Sequence, residues 1–568
     1  MSLARRMAAA AYRWAEAMSG IGVAIGCLFF AASLTPSLIP RTYLTQGALS
    51  GICLAAGYGI GVLWRWVWIF LGLPEPQGWL RRAVNLVVVA ACLCIVLVFL
   101  WKSADWQNSV RAAMDLAPVD TAHPFKLCAI ALALFALLLA FGRVVAFCVR
   151  TAARWIGTIL PRRAAMLLGF VATAMLFWSI GSSYLANAVF GALDSSYREF
   201  DALFEPEQKK PSDQNKTGSD ASLVTWTDLG RTGRRFVAGG PTAADISKLT
   251  GRAALEPIRV YVGLNTADTP QERARIALEE LKRTGGFSRK MLVVITPTGT
   301  GWIDPSSVNA LEYLQDGDVS SVAIQYSYLS SPLALLAQPE YGAEASTALF
   351  REIYRYWNSL PAATRPRLYL HGLSLGALNS EKALDMFEMV GDPIDGALWS
   401  GPPFASSIWS VVTEARNPGT PEWLPQYQDG SVIRFVNQNG SSTPAAAPWG
   451  RMRIVYLQYA SDAITFFDFR DFYRRPDWMN PPRGPDVSAD LEWYPVVTML
   501  QIGLDMLVAN GAPLGHGHAY APDHYLDAWA AVTGAQQQPD VVAAIKRHLL
   551  EQAKGPGAVA AGYDKRGG

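Results

Sequence analysis

Long apolar runs are confined to the first part of the chain, and shorter apolar runs alternate with polar stretches in the rest. Residues 20–39 form the first long run, which supplies the ~20 residues that a helix needs to cross a hydrocarbon core of ~30 Å. No convincing small-residue cleavage site follows it, so we interpret it as a retained span. Further runs of spanning length are residues 47–71, 84–101, 127–149 and 165–186. The pattern predicts a transmembrane helical domain of about five spans over residues 1–190.

Positive charges are concentrated in every other connection between these predicted spans, and so on one side of the membrane. Arginines precede the first span and fill the second and fourth connections, namely Arg5, Arg6, Arg13, Arg81, Arg82, Arg150, Arg154, Arg162 and Arg163. The opposite connections hold Arg41 alone or cations balanced by acids. The positive-inside rule then predicts a cytoplasmic N-terminus, and an odd number of spans puts the chain after residue 186 outside the cytoplasm.

Apolar residues nearly vanish over residues 204–221, where Lys, Asp, Ser, Asn and Pro accumulate. Such a stretch cannot bury enough surface to fold by itself. We therefore expect residues 191–256 to link the membrane part to a separate domain.

Short β-rich runs and amphipathic helices alternate from residue 257 onward. Strands are predicted at residues 258–262, 291–295, 321–328, 368–371, 397–400, 431–436 and 453–459, and helices at 270–281 and 344–360. This alternation predicts an α/β domain over residues 257–568, built on a mostly parallel sheet with helices on both faces.

One predicted strand leads into Gly372-Leu373-Ser374-Leu375-Gly376, and a helical pattern follows. A G-x-S-x-G sequence between a strand and a helix presents its serine on a sharp turn, and the glycines let the neighbouring backbone pack closely. Ser374 is therefore a candidate nucleophile. A bare G-x-S-x-G also arises by chance, so the assignment depends on partner residues that follow in the chain.

A catalytic acid is expected after a later strand, because functional groups of an open α/β sheet gather at the carboxyl ends of its strands. Asp462 follows the apolar run 453–459 and is our candidate. The alternative role for it is a turn or a helix N-cap. Asp468 and Asp471 are close competitors that lie deeper in an aromatic stretch.

The general base is sought among the six histidines of the chain. His516 and His518 lie in a Gly-rich loop before a predicted helix, where a base is expected, and we favour His518. His516 stays open as the alternative, with a hydrogen bond that fixes the loop as its other role. The order Ser374, Asp462, His518 is that of α/β-hydrolases.

Backbone amides are needed to stabilise the negative charge of an acyl-transfer intermediate. The amide of Leu375, directly after the nucleophile, is one candidate. The Gly-bearing loop at residues 296–302 follows the predicted strand 291–295 and supplies the second, for which we select Thr300.

Charge and cysteine content narrow the function classes. The net charge of +2 and the lack of a basic stripe with interleaved aromatics argue against a nucleic-acid partner. All six cysteines precede residue 149, so the α/β part has neither a disulfide framework nor a cysteine zinc site. We expect neither a cofactor nor a metal ion.

The segments 33–40, 230–237, 298–302, 372–376 and 515–518 together resemble the bacterial membrane-anchored α/β-hydrolases of the ninth abhydrolase family. That resemblance implies an integral-membrane serine hydrolase of esterase or lipase type. Together with the arginine pattern, it leads us to expect an enzyme that acts on a lipid or acyl ester, in the bacterial cytoplasmic (inner) membrane with an extracytoplasmic catalytic domain. Acyl transfer by the same triad is a close alternative. A non-catalytic membrane protein that uses the domain for binding or transport is the alternative from another class. The oligomeric state stays open.

Aromatic residues crowd the interval between Asp462 and His518, and residues 491–510 have the pattern of a helix with one apolar stripe. Three interpretations stay open. The helix packs on the core, caps an acyl-binding pocket, or rests on the bilayer surface.

Overall fold

The computed structural model describes residues 18–74, 78–179, 201, 203, 208–331, 333–334, 340–384, 389–441 and 445–555, with Arg81 described by its backbone alone. Residue contacts divide the chain into two compact units. The helical unit comprises Met1–Leu185, Phe467–Met479 and Pro485–Met506. The α/β unit comprises Ala186–Phe466, Asn480–Gly484 and Leu507–Gly568.

The N-terminal part of the helical unit consists of long apolar helices. They are α1 (Gly20–Ser33), α2 (Tyr43–Phe70), α3 (Gly78–Ala113), α4 (Pro124–Ile156) and α5 (Arg162–Ser179). Among the described residues three of them, α2, α3 and α4, are long and apolar enough to span a membrane. Helix α1 is shorter, at 14 residues. Residues 180–186 of the predicted fifth span, and the predicted cytoplasmic Arg5, Arg6 and Arg13, lie outside the described residues.

The α/β unit is built on a parallel sheet whose seven described strands follow the order β1-β3-β2-β4-β5-β7-β6. The strands are β1 (Ile258–Val262), β2 (Met291–Thr296), β3 (Val319–Ile324), β4 (Arg367–Leu373), β5 (Gly396–Ser400), β6 (Ile433–Val436) and β7 (Arg453–Leu457). Every residue of the central strands β2 and β3 is buried. Strands that are buried along their whole length are typical of parallel sheets covered on both faces. The predicted α/β-hydrolase fold class is thus confirmed.

The remaining helices complete both units. They are α6 (Gly230–Ala238), α7 (Ala243–Thr250), α8 (Pro270–Arg283), α9 (Pro305–Leu314), α10 (Tyr341–Ser359), α11 (Leu375–Ala383), α12 (Ser407–Glu414), α13 (Ala463–Phe466), α14 (Val497–Val508), α15 (Pro522–Thr533) and α16 (Pro539–Lys554). Helices α8, α10 and α11 pack in one layer, and α9, α15 and α16 pack in another. Two layers cover the sheet, as the alternation predicts.

Four predicted elements are shorter than the sequence pattern suggests. The strands predicted at 431–436 and 453–459 span Ile433–Val436 and Arg453–Leu457. The strand predicted at 321–328 spans Val319–Ile324, and the amide of the next residue, Gln325, still donates to the carbonyl of Val262 in β1 at 2.9 Å. The helix predicted at 491–510 spans Val497–Val508. Pro495 lacks the N–H of a helix interior, and Val496 has a positive φ of 67°, so the helix begins only after them.

Candidate active site

Ser374 lies on a strained turn between β4 and α11. Its φ of 58° and ψ of −126° are unusual for a residue with a side chain. A Cβ at Gly376 would lie 2.2 Å from the carbonyl oxygen of Thr296, and one at Gly372 would lie 2.3 Å from the carbonyl carbon of Gly376. Only glycine permits these approaches, so the G-x-S-x-G sequence is what lets β4 turn into α11 against the end of β2.

Asp462 follows β7 by five residues and is fully buried. Its Oδ1 accepts a hydrogen bond from the amide of Ile464 at 3.0 Å, which fixes the carboxylate at the start of α13. The competitor Asp468 instead caps the short helix Phe469–Phe472 and binds Arg470. Both Asp468 and Asp471 belong to the helical unit. Of the three acids, Asp462 is the one that meets a histidine.

His518 is buried, and its Nδ1 lies 2.7 Å from Oδ2 of Asp462. With the proton on Nδ1 donated to the carboxylate, the Nε2 lone pair can accept a proton. The hydroxyl of Tyr520 donates to the same Oδ2 at 2.8 Å. Burial, followed by the charge of Asp462, raises the pKa of Tyr520 well above its usual value, so the phenol stays a donor.

Backbone hydrogen bonds fix the loop that carries His518. The amide of Gly515 donates to the carbonyl of Ala519 at 2.7 Å, and the amide of Gly517 donates to Oγ of Ser461 at 2.8 Å. The ring Nδ1 of His516 is buried with no hydrogen-bond partner in the described part of the chain. The backbone of His516 does bond the loop, because its amide donates to the carbonyl of Pro513 at 3.0 Å and its carbonyl accepts from the amide of Ala519 at 3.1 Å.

Ser374 and His518 both lie at the carboxyl end of β5. The amide of Ser374 donates to the carbonyl of Ser400, the last residue of β5, at 3.0 Å. The next residue, Gly401, has a φ of +49°, and a Cβ there would lie 2.6 Å from Cε1 of His518. The imidazole thus packs directly on Gly401. The fold brings all three predicted residues of the triad to neighbouring strand ends, as expected of an open α/β sheet.

His371 precedes the turn, and its side chain joins β4 to the neighbouring strand β5. It is buried, its Nδ1 bonds the carbonyl of Leu398 at 2.8 Å, and burial lowers its pKa to about 4. His524 bonds the hydroxyl of Tyr459 at 2.6 Å, and burial lowers its pKa as well. Tyr459 also accepts from the amide of Ala521 at 3.1 Å and stacks on Tyr520 with ring centroids 4.4 Å apart.

The two predicted oxyanion donors have amides available for a ligand. Leu375 is the first residue of α11, where the N–H has no intrahelical acceptor. In the loop that carries Thr300, the amide of Thr298 donates to Trp302, that of Gly301 donates to Thr298, and that of Gly299 donates to Ser331. The amide of Thr300 donates no hydrogen bond within the described residues.

Three side chains from outside the loop donate hydrogen bonds to two of its backbone carbonyls, those of Thr300 and Gly301. Tyr261 of β1 donates its hydroxyl to the carbonyl of Gly301 at 2.9 Å. Gln325, after β3, donates to the carbonyl of Thr300 at 3.3 Å, and Thr232 of α6 donates to it at 3.4 Å. The sequence pattern did not single out these residues.

Metal ligands form no cluster in the described residues, where no group of three or more His, Cys, Asp or Glu side chains could hold a metal ion.

A model of an α/β-hydrolase family matches residues 258–544, and a model of the N-terminal part of the same family matches residues 34–241. The chain belongs to the ninth α/β-hydrolase family. No curated protein and no solved structure matches the chain. Membership in an α/β-hydrolase family supports a hydrolytic function, and the matched α/β-hydrolase region contains Ser374, Leu375, Thr300, Asp462 and His518.

Proposed function

We propose that this member of the ninth α/β-hydrolase family is a membrane-anchored serine hydrolase that cleaves a lipid or acyl ester through an acyl-enzyme. The observation that carries the proposal is the 2.7 Å contact between His518 and the buried Asp462, beside the strained turn of Ser374. A serine, an oriented histidine and a carboxylate form the set that activates a hydroxyl nucleophile.

In the proposed reaction, Oγ of Ser374 attacks the ester carbonyl carbon while its proton passes to Nε2 of His518. Asp462 holds the imidazole by Nδ1 and stabilises the imidazolium. The amides of Leu375 and Thr300 donate to the oxyanion. The C–O bond of the ester then breaks, and His518 gives its proton to the leaving alcohol. Water repeats the sequence on the acyl-enzyme and releases the acid.

The membrane part of the proposal rests on α2, α3 and α4, which are long and apolar enough to span a bilayer. Large apolar side chains on α3 face outward, including Leu86 at 71% exposure and Val87 at 67%. Exposed apolar surface of this extent needs a lipid or detergent environment.

The test is hydrolysis of a series of p-nitrophenyl esters of increasing chain length by the full-length protein in detergent. Ser374→Ala is expected to lower kcat by several orders of magnitude while the protein stays folded. Ser320→Ala is the matched control, because this buried serine lies near the amino end of β3 and bonds only the carbonyls of Gly286 and Met291. Equal turnover by Ser374→Ala and the wild-type chain would refute the proposal.

A further inference from the structure

The helical unit includes two segments from the C-terminal part of the chain, Phe467–Met479 and Pro485–Met506. Helix α14, in the second segment, binds the connection between α1 and α2. Asp505 of α14 bonds Arg41 at 2.9 Å, and both side chains are fully buried. The second oxygen of Asp505 accepts from the amide of Leu38 at 3.0 Å. Loss of one partner would leave the other charge buried without compensation, so the contact ties α14 to the connection between α1 and α2.

Further contacts attach the same segments at the same end of the long helices. Gln501 donates to the carbonyl of Thr35 at 3.2 Å, and Ser488 bonds Ser109 at 2.7 Å. Ser109 lies near the last residue of α3, as Thr35 lies just after the last residue of α1. Val497 packs with Leu49 near the first residue of α2. The attachment point is therefore the end at which α1 and α3 finish and α2 starts.

The short helix Phe469–Phe472 is hydrogen-bonded to the residues just before α14. The amide of Val496 donates to the carbonyl of Phe472 at 2.9 Å, and the indole of Trp493 donates to the carbonyl of Asp471 at 3.0 Å. Phe469, Phe472 and Tyr473, which we call the aromatic patch, are 68%, 45% and 68% exposed.

Cationic side chains surround the aromatic patch. Arg470, Arg474 and Arg475 are all exposed. Arg470 pairs with Asp468 at 2.6 Å, Arg474 lies 4.0 Å from Asp477, and the guanidinium of Arg475 donates to the carbonyl of Met479 at 3.1 Å. Exposed aromatic rings interleaved with arginines are typical of the boundary between acyl chains and headgroups, where phosphates meet the guanidinium groups.

We propose that the aromatic patch lies in the membrane interface, with its rings at the headgroup boundary and lipid phosphates as the partners of the arginines. This inference rests on the membrane anchoring of the proposed function. A lipid surface is the occupant because the patch is fixed at one end of helices whose apolar sides are themselves exposed, so one bilayer would cover both surfaces.

The test measures lipid contact without using catalysis. A fluorescent amino acid replaces Tyr473 in the full-length protein, which is reconstituted into vesicles of phosphatidylcholine and phosphatidylglycerol. Brominated lipids should quench it severalfold more than they quench the same label at Asp220, whose side chain is 77% exposed in a polar segment. Aqueous iodide should quench it less.

A patch in solvent would give the reverse order of quenching, and a label shielded from both quenchers would mean that another protein surface covers it. Either result would overturn the inference. A second variant, Phe469→Ser with Phe472→Ser, should lower turnover of a vesicle-borne ester severalfold and leave that of a water-soluble ester unchanged. Unchanged turnover of the vesicle-borne ester would count against the inference.

Discussion

At the residue scale, one carboxylate oxygen organises the site. Oδ2 of Asp462 accepts hydrogen bonds from His518 and Tyr520, while Oδ1 accepts from the amide of Ile464. The carboxylate cannot turn without losing one of these bonds, so the imidazole that it holds has a fixed orientation. Ser374 and His518 could be selected from sequence because a motif and a short list of histidines limit the choice. Tyr520 could not, because a tyrosine two residues after a histidine has no distinctive pattern.

Replacement of the two loop histidines tests this orientation. His518→Ala should lower kcat by several orders of magnitude, because the only imidazole bonded to Asp462 is lost. His516→Ala should change kcat by less than about tenfold, since backbone bonds fix the loop. Steady-state kinetics on one soluble ester compare the two variants directly. A larger loss at His516 would reverse the assignment.

At the scale of elements, the loop after β2 depends on side chains from three distant segments. A Gly-bearing loop after this strand was predictable, because strand ends and glycines are local features. Its support by Tyr261, Gln325 and Thr232 was not, because these residues lie on β1, after β3 and on α6. We propose that they act as positioning residues, since each holds a loop carbonyl rather than the reacting atoms.

Tyr261→Phe tests that support with little change in volume. The loss of the bond to Gly301 should lower kcat by roughly tenfold with KM nearly unchanged, because a displaced Thr300 amide weakens the transition state more than the bound ester. The control is Tyr354→Phe, which removes a buried hydroxyl that donates to the carbonyl of Asp392 at 2.7 Å. It should lower thermal stability and leave kcat unchanged. Equal kcat values for the two variants would contradict the positioning role.

At the scale of the whole molecule, hydrophobic patterning indicated both the helical part and the α/β part, because each pattern repeats over many residues. The grouping of Phe467–Met479 and Pro485–Met506 with the helices had no such signal. It depends on individual long-range contacts such as that of Arg41 with Asp505. The local sequence around either residue does not indicate such a contact. In the sequence, Arg41 is simply the one cation of the connection between the first two predicted spans.

The arginine pattern leads us to propose an extracytoplasmic α/β unit, and a single cysteine tests it. Asp220, whose side chain is 77% exposed, is the position for it. Asp220→Cys should react with a membrane-impermeant maleimide in intact cells beyond the level of the wild-type chain, which carries six native cysteines. Reaction only after lysis of the inner membrane would place the unit in the cytoplasm.

The identity of the nucleophile is tested most directly by locating a covalent adduct. The full-length protein is treated with a fluorophosphonate, which reacts with activated serines, and its peptides are analysed by mass spectrometry. The account predicts one adduct, on Ser374, that is absent from Ser374→Ala and strongly reduced in His518→Ala. An adduct on another serine, or equal labelling of Ser374→Ala, would contradict it.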